Sequence, residues 1–316
     1  MKQVLAMAFG AAALLAGALA AAQDRIPVSL GTATPGGGFV VYGDAVAKTI
    51  AATDPGLAVE PRNTAGSAEN IPLLEAGGLD IALVQGEAAH EALAGIGRPR
   101  ADLRILYAMY PTPGLFIVRA DTPHRSIADL RGQPVAFGAR GSGLVILARY
   151  VLDGIGLDMD RDFQAVYLDR AGDGPNLLRD GKVVALWGGG SGWPGFLAVL
   201  RGPGGGRFIA PSNGEIERIR VKHPFLKPLT VAPGSYPGQD TALESVGSWS
   251  LILARRDLPD ETAYRLARAL HRGESDLASR LPQGRDSTAA NTAAVADPAL
   301  LHPGALRYLR EMGALR

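Results

Sequence analysis

The chain has 316 residues, of which 47% are hydrophobic, 20% are charged and 41 are glycine. This composition is typical of a globular protein with many turns and a buried core. The formal net charge of +1 argues against nucleic-acid binding, since no broad basic surface is expected. The absence of cysteine from the sequence excludes disulfide bonds and thiol chemistry.

The N-terminal segment has the pattern of a secretory signal. Lys2 supplies a positive charge, residues 4–22 carry none, and small residues crowd positions 18–22 just before Gln23. This pattern predicts a signal peptide over residues 1–22, with export to the periplasm. The alternative is an uncleaved membrane anchor, because the apolar run is nearly long enough to span a bilayer.

The stretch from Arg25 to Asp44 predicts a strand, a glycine loop and a helix. Residues 26–30 alternate apolar and polar side chains up to Gly31, glycines occupy positions 36–38, and apolar residues from Phe39 onward recur at helical spacing. A glycine loop that leads into a helix N-terminus is suited to an anion. The alternative is that the glycines only form a tight turn.

A second unit follows with the same order of elements. Residues 57–62 alternate like a strand, and the helix after them is expected to be capped by Ser67 or Asn70. Residues 79–84 form an apolar run typical of a buried strand that ends at Gln85. The loop before the helix and the end of this strand therefore present small polar side chains.

The rest of the chain continues this alternation of strands and helices. Further strands are predicted over residues 103–110, 115–119, 135–137, 183–187 and 246–254, and a Gly141-Ser142-Gly143 loop leads into an apolar helix. Such alternation predicts an α/β fold with a parallel sheet covered by helices on both faces. Ligands of these folds bind beyond the carboxyl ends of the strands, so the loops are expected to converge.

No catalytic motif emerges from the sequence. A nucleophile elbow, a phosphate-binding Walker loop and a dinucleotide-binding glycine motif are all missing, and the histidines lack the spacing of metal ligands. The prediction is therefore no enzyme, no metal and no cofactor. Two α/β units with N–H-rich loops fit a receptor that encloses a small ligand.

Several motifs in this order resemble the TAXI-type solute-binding receptors of TRAP transporters. The resemblance covers about residues 30–313. The motifs are Gly66-Ser67-Ala68-Glu69-Asn70, Leu83-Val84-Gln85, Asp129-Leu130-Arg131-Gly132, Gly141-Ser142-Gly143, Ala232-Pro233-Gly234-Ser235-Tyr236-Pro237-Gly238-Gln239-Asp240, Asp257-Leu258-Pro259 and Leu301-His302-Pro303-Gly304-Ala305-Leu306-Arg307-Tyr308.

The resemblance implies a type II periplasmic-binding-protein fold, with two α/β lobes and a ligand cleft between them. Residues 23–114 and 246–316 are expected to form lobe 1, and residues 115–245 lobe 2. The implied function is to bind a small organic acid or amino acid and deliver it to TRAP membrane subunits; the alternative is a ligand sensor that feeds a signalling partner. The ligand-binding residues implied are Gly37, Gly38, Phe39, Ser67, Asn70, Gln85, Ser142 and Gly143, whereas residues 302–305 look structural.

Two departures from the family pattern affect the expected pocket. Phe39-Val40 replaces a usual Tyr-Tyr pair, and Gly192-Trp193-Pro194 stands where Gly-His-Pro is common. Two phenol hydroxyls and an imidazole are lost, so the pocket should be more apolar and glutamate, the common ligand of the family, is less expected.

One arginine and one tryptophan complete the predicted site. A bound carboxylate needs a cation or several N–H donors, and Arg140 is placed to form a bidentate ion pair with it. The alternative is that Arg140 faces the solvent. Trp193 is expected to pack on an apolar part of the ligand.

Overall fold

The computed structural model describes residues 25–316. The predicted signal peptide over residues 1–22 lies outside the described residues. Within this described range, no helix is both long enough and apolar enough to cross a membrane.

Residues 25–316 form one curled sheet of 10 strands. The strands are β1 (Ile26–Gly31), β2 (Leu57–Arg62), β3 (Ile81–Val84), β4 (Leu103–Arg119), β5 (Pro134–Ala139), β6 (Gln164–Leu168), β7 (Ala185–Gly189), β8 (Gly206–Ile209), β9 (Lys227–Val231) and β10 (Leu243–Arg255). Their order is β2-β1-β3-β10-β4-β7-β5-β6, with β8 beside β4 and β9 beside β10. Pairing is parallel within β1–β3 and within β5–β7, whereas β4 and β10 are antiparallel to their neighbours.

Helices cover both ends of this sheet. They are α1 (Gly38–Thr53), α2 (Ser67–Glu75), α3 (Gly86–Ala94), α4 (Gly143–Gly154), α5 (Met159–Asp162), α6 (Gly174–Arg179), α7 (Pro194–Arg201), α8 (Asn213–Lys222), α9 (Asp260–Arg272), α10 (Glu274–Arg280), α11 (Ala289–Val295) and α12 (Pro303–Glu311). Single 3₁₀ turns lie at Ala128–Leu130, Ala171–Asp173, Pro282–Arg285 and Pro298–Leu300. The α/β fold predicted from the alternation of elements is thus confirmed.

Two lobes share this sheet. We call the part that contains β1–β3 the first lobe and the part that contains β5–β7 the second lobe. Strand β4 joins them, since it pairs with β10 from Leu103 to Pro113 and with β7 from Gly114 to Val118. Strand β10 also crosses, because it pairs with β3 in the first lobe and with β9 at its other end.

The strands predicted over residues 103–110 and 115–119 are confirmed as extended, but the break expected between them is absent from the described residues. One strand of 17 residues covers both segments and includes Pro111 and Pro113. Proline lacks the N–H donor of the hydrogen-bond ladder, so its presence in the sequence predicts that a strand ends there. Its fixed φ is nevertheless compatible with extended backbone, so the strand continues through both prolines.

Each lobe has a hydrophobic core of its own. The first-lobe core contains Leu30, Leu83 and Leu106 together with the C-terminal helices. The second lobe has cores on both faces of its sheet; on one of them the ring centroids of Phe116 and Trp187 lie 4.6 Å apart. These cores are distinct clusters, but Ile146 of α4 in the second lobe packs into the first-lobe core, so side-chain packing as well as the crossing strands joins the lobes.

The motif at residues 301–308 builds the start of the last helix. His302 is fully buried, its Nδ1 accepts a hydrogen bond from the Gly304 N–H at 3.2 Å, and its Nε2 lies 3.0 Å from the Leu258 carbonyl oxygen. The imidazole is therefore neutral, with the proton on Nε2, and burial lowers its pKa below the ordinary value. His302 caps α12 and ties it to the loop before α9.

Replacement of His302 by alanine is expected to reduce the free energy of unfolding by about 2–3 kcal/mol, since a helix cap and the partner of a buried carbonyl are both lost. Urea denaturation at pH 7.5 measures the change. A lowered pKa in the folded state means that the wild-type contribution is present above pH 6.5 and is lost as the pH falls, so the difference between the two proteins should shrink at acidic pH. A loss below about 0.5 kcal/mol would contradict the structural role.

Candidate functional site

A cavity of about 50 Å³ lies between the two lobes, at the carboxyl ends of the parallel strands. The first lobe contributes the loops after β1, β2 and β3, and the second lobe contributes the ends of β5 and β7 with the loops after β5, β6 and β7. Its lining consists of Ala33, Thr34, Gly37, Gly38, Phe39, Ala65, Gly66, Ser67, Gln85, Tyr110, Thr112, Gly138, Ala139, Ser142, Gly143, Leu144, Ala171, Gly189 and Trp193. The convergence expected from an α/β sheet is therefore present at this cavity.

Five helices begin at residues that line the cavity. The N-cap residues are Gly37 for α1, Gly66 for α2, Gln85 for α3, Ser142 for α4 and Trp193 for α7. Each N-terminus carries a partial positive charge of roughly half an elementary charge. These helix ends favour a negative ligand at the cavity, although among residues 25–316 its lining has no cationic side chain.

Backbone N–H groups of these helices are available at the cavity. Gly38, Phe39, Ser67 and Gly143 lie in the first turns of α1, α2 and α4. An N–H in a first turn has no carbonyl partner within its own helix. These groups can donate hydrogen bonds to a ligand that presents oxygen acceptors.

Three hydroxyl groups add further donors. The oxygens of Thr34, Ser67 and Ser142 accept hydrogen bonds from the backbone N–H groups of Ala171, Gln85 and Leu144 at 3.1, 3.1 and 3.2 Å, respectively. A hydroxyl that already accepts one bond still has its own proton to donate. All three residues line the cavity, so their protons are available to a ligand there.

The Gln85 side chain is buried at the cavity and incompletely paired. Only 3% of Gln85 is exposed, and its Nε2 has no hydrogen-bond partner among residues 25–316. An unpaired buried amide costs free energy, which a ligand acceptor would recover. Gln85 is therefore a candidate donor to the ligand.

Trp193 supplies much of the apolar wall. Its indole ring packs edge-on to Phe196 at a centroid distance of 4.8 Å, and a Cβ atom at Gly188 or Gly195 would lie within 2.6 Å or 2.1 Å of that ring. These glycines are needed because the ring lies flat against the backbone. Phe39 and Leu144 extend the apolar wall.

Eight of the ten residues predicted for the site line the cavity, and two do not. The eight are Gly37, Gly38, Phe39, Ser67, Gln85, Ser142, Gly143 and Trp193. Arg140 is exposed outside the lining, and its guanidinium lies 4.8 Å from the centroid of the Tyr167 ring. Among residues 25–316, those that line the cavity carry no charged side chain.

Asn70 lies behind the cavity in the first lobe. It is fully buried, and its Nδ2 donates to the carbonyl oxygens of Thr32 and Leu83, each at 2.9 Å. The amide therefore joins the chain segments that follow β1 and end β3. This geometry gives Asn70 a structural role in holding the site loops together.

We expect the Asn70→Ala variant to lose about 2–4 kcal/mol of unfolding free energy, because two buried carbonyl groups lose their donor. Ligand affinity of the folded variant should stay within about threefold of wild type. Chemical denaturation and calorimetric titration measure the two quantities. The Ser142→Ala variant serves as the control. It should lose less unfolding free energy than Asn70→Ala does, and it should lose more ligand affinity.

The cap predicted for α2 was wrong. The helix begins at Ser67, its N-cap is Gly66 with φ 115° and ψ −157°, and no side chain caps it. A side chain is disfavoured at this φ, so only glycine fits easily. The Ser67 hydroxyl instead accepts the Gln85 N–H and links two cavity loops.

The sequence analysis missed several lining residues, among them Thr34, Tyr110, Thr112 and Leu144. Thr34 precedes the glycine loop directly, a position that could have signalled it. Tyr110 and Thr112 lie inside β4, and nothing in their sequence pattern indicates a strand that crosses between lobes. Burial raises the pKa of Tyr110 well above its usual range, so this phenol stays neutral.

The lobes are closed over the cavity. The N–H of Ala68 in the first lobe donates to the carbonyl oxygen of Gly141 in the second at 3.0 Å, and the Gly172 N–H donates to the Pro35 carbonyl at 3.2 Å. At Gly36 a Cβ atom would lie 2.4 Å from the Gly172 Cα, so glycine is required for this approach. Backbone contacts across the cleft thus hold the closed arrangement.

Over the described range 25–316, no cluster of three or more histidine, cysteine, aspartate or glutamate residues has the arrangement of a metal site.

Solved structures of low sequence identity share this fold. A protein from Bordetella bronchiseptica RB50 matches with a TM-score of 0.58 and 15% identity over 91% of this chain and 98% of its own. A binding protein component of an ABC phosphonate transporter from Pseudomonas aeruginosa matches with a TM-score of 0.51 and 14% identity, over 82% of this chain and 79% of its own. The periplasmic aliphatic sulphonate binding protein SsuA from Escherichia coli matches with a TM-score of 0.50 and 19% identity, over 91% of this chain and 84% of its own.

These structural similarities show which class of fold the chain has. The chain has the two-lobed α/β fold of periplasmic solute-binding proteins, as the sequence predicted. It belongs to the NMT1-like family, which matches residues 30–313.

Proposed function

We propose that this protein is a periplasmic receptor that binds a small organic anion between its lobes and delivers it to a membrane partner. The observation that carries the proposal is the convergence of five helix N-termini on a closed cavity without charged side chains. Such an arrangement stabilises a negative ligand by N–H and O–H donors. Among residues 25–316, the lining has no histidine or carboxylate beside its serine hydroxyls, which supports binding and release as the proposed role.

The proposed binding set is the group of predicted residues that line the cavity. Gly38, Phe39, Ser67 and Gly143 would donate backbone N–H groups, and Ser67, Gln85 and Ser142 would donate from their side chains. Trp193 would contact the apolar part of the ligand. Arg140 is left out, because its guanidinium lies on Tyr167 and not at the cavity.

Two neighbours of the same fold are named for organic anions, a phosphonate and a sulphonate. Both groups carry several oxygen acceptors and a negative charge, as a carboxylate does. The shared fold and the donor-rich cavity of this chain support an anion as the ligand class.

The membrane partner is the finer part of the proposal. The motifs that resemble TAXI-type receptors favour TRAP subunits, which use an ion gradient. One neighbour of the same fold is instead named as the binding component of an ABC phosphonate transporter. Uptake of the identified ligand by cells that contain the protein separates these cases. If uptake stops when the ion gradient is collapsed at constant ATP, the partner is of the TRAP type. If uptake continues, the partner is driven by ATP. If uptake does not depend on the protein at all, a signalling partner is indicated.

The lobe boundaries and the signal peptide also remain proposals. Boundaries at residues 114/115 and 245/246 fall inside β4 and β10, the two strands that cross between lobes. Separate cores on either side support this division. N-terminal sequencing of the exported protein tests cleavage near Gln23.

The central test is a thermal-shift screen against small carboxylates, sulphonates and phosphonates, followed by calorimetric titration of any hit. A ligand that binds only the folded state raises its melting temperature. Ser142→Ala and Gln85→Leu should each weaken the hit about 10-fold or more, and Arg140→Ala should leave it within about twofold. A hit that is lost only in Arg140→Ala would contradict the proposed binding set.

A further inference from the structure

We infer that the Glu87 side chain determines which end of the Gln85 amide faces the ligand, and that the protein therefore binds a proton on Glu87 together with an anionic ligand. This inference rests on the proposed function and adds to it a residue that controls specificity from outside the cavity. Its support is the position of Glu87, an unpaired polar atom on each of the two side chains, and the different hydrogen bonds that the two forms of a carboxyl group make.

Glu87 is close to the cavity residue Gln85 but does not line the cavity. Gln85 is the N-cap of α3 and part of the lining, whereas Glu87 lies in the first turn of the same helix. Glu87 is fully buried, and its Oε1 accepts the Ser248 hydroxyl at 2.7 Å. Its Oε2 has no hydrogen-bond partner among residues 25–316. A carboxyl group buried in this way is costly unless it is protonated or gains a further donor.

The Gln85 amide connects the cleft with this carboxyl group. A Cβ atom at Gly143 in the second lobe would lie 3.3 Å from Oε1 of Gln85, so this end of the amide is next to the cleft. Nε2 at the other end is buried and has no hydrogen-bond partner in the described part of the chain. Burial raises the pKa of Glu87 to about 7, and the Ser248 hydroxyl and the Gln85 amide oppose this rise as donors. Gln85 and Glu87 are therefore neighbours that act on each other.

The two forms of the carboxyl group require opposite orientations of the amide. An ionised carboxylate only accepts hydrogen bonds, so it binds Nε2 of Gln85 and leaves Oε1 toward the ligand. A protonated carboxyl group donates to Oε1, and a half-turn of the amide then places Nε2 at the cavity. An anion needs the donor Nε2, because the partial negative charge of Oε1 would repel it. Anion binding and protonation of Glu87 therefore favour each other.

The other charged groups around α3 differ from Glu87 in their exposure. Helix α3 packs against α2, α4 and β10, whose charged or titratable side chains are Glu69, Glu75, Arg149, Tyr150, Asp153, Glu244 and Arg255. These side chains are exposed or half-buried. On α3 itself, Glu91 accepts the Tyr150 hydroxyl at 2.9 Å, and burial lowers the pKa of His90. Glu87 is the buried carboxyl group that can couple a proton to the cavity.

Calorimetric titration of the purified protein between pH 6 and pH 8.5 tests the inference. The probes are pyruvate, benzoate and methanesulphonate, which remain ionised throughout this range. The tightest of them should bind about 10-fold or more weakly at pH 8.5 than at pH 6, because the proton must be taken up from increasingly alkaline solvent. Titrations at pH 7.5 in buffers of different ionisation enthalpy should show an uptake of about half a proton or more per bound anion.

Two variants show whether the proton acts through the amide. The Glu87→Gln side chain cannot ionise, but it can donate to Oε1 of Gln85 as the protonated carboxyl group does. Its affinity should stay within about threefold of the wild-type value at pH 6 and should not change with pH. His90 and His223 remain in this variant, so a pH dependence caused by either histidine would persist. Gln85→Leu should bind weakly at every pH and take up no proton; a full pH dependence in Gln85→Leu would overturn the inference.

The possible results separate this inference from the proposed function. Equal affinity at pH 6 and pH 8.5, or binding without proton uptake, overturns the inference and leaves an organic-anion receptor. If none of the three probes binds even at pH 6, where the folded protein holds the proton, the inference is overturned too. The proposed function then fails only if no other organic anion of the thermal-shift screen binds.

Discussion

Replacement of Gly141 by alanine is expected to weaken ligand binding at least about 100-fold and to leave the fold intact. In the closed arrangement a Cβ atom at Gly141 would lie 2.7 Å from both the Cβ and the carbonyl oxygen of Ala65 in the other lobe. Backbone atoms cannot yield to this contact easily, so the lobes would remain apart. Gly141 has no positive φ, and alanine is therefore compatible with its own lobe.

Calorimetric titration of the ligand measures this loss, and small-angle scattering should show that the variant no longer contracts when ligand is added. Gly172→Ala is the matched control. It lies at the same cleft, but a Cβ there comes no closer than 3.4 Å to the Gly36 Cα, an ordinary contact. If Gly141→Ala binds as tightly as Gly172→Ala does, the closed arrangement is not the binding state.

One buried carboxyl group, Glu87, should contribute less to the stability of the folded protein as the pH rises from about 4.5 to 7. Burial raises the pKa of Glu87 from its ordinary value of 4.5 to about 7, although the hydrogen bond from Ser248 opposes the shift. In this window the folded state holds a proton that the unfolded chain has lost, so stability decreases as the pH rises. At 1.36 kcal/mol per pKa unit the total effect is on the order of 3 kcal/mol.

Urea denaturation across this pH range measures the slope, and the Glu87→Gln variant removes the titrating group. The variant should be more stable than wild type at pH 8 and nearly equal to it at pH 4. Ser248→Ala should extend the loss of stability to higher pH, because it removes a hydrogen bond that favours the ionised carboxylate and so raises the pKa of Glu87 further. A Glu87→Gln variant with an unchanged pH profile would show that Glu87 does not titrate in this window.

Local sequence patterns predicted the elements that carry the site. The strand at Ile26–Gly31, the glycine loop after it and the helix from Gly143 were all predicted near their observed bounds. Strand alternation and helical spacing depend on residues a few positions apart, which is why the chain order reveals them. Loops after parallel strands converge in this fold class, so the loops at the cavity could be expected to meet, and eight of the 19 lining residues were named in advance.

The sequence could not show how far each side chain lies from the cavity. Asn70 and Ser67 belong to the same motif, yet the Asn70 amide bonds to the carbonyls of Thr32 and Leu83 and the Ser67 hydroxyl bonds to the Gln85 N–H. Which partner each one finds depends on the packing of three separate strands. Arg140 next to a glycine-serine loop suggested a carboxylate partner, but its side chain turns to Tyr167 across the neighbouring strand.

By itself the sequence determined the alternation of strands and helices and the glycine-rich loops, because these follow from local periodicity and backbone freedom. The two-lobed fold class was expected from the resemblance of its motifs to TAXI-type receptors. Only the tertiary structure decided that β4 passes unbroken through Pro111 and Pro113 from one lobe to the other. It alone decided that the cavity is positive through helix ends instead of an arginine. The physical reason is that both depend on contacts between residues far apart in the chain: β4 pairs with β10 and β7, and the helices that begin at the cavity come from both lobes.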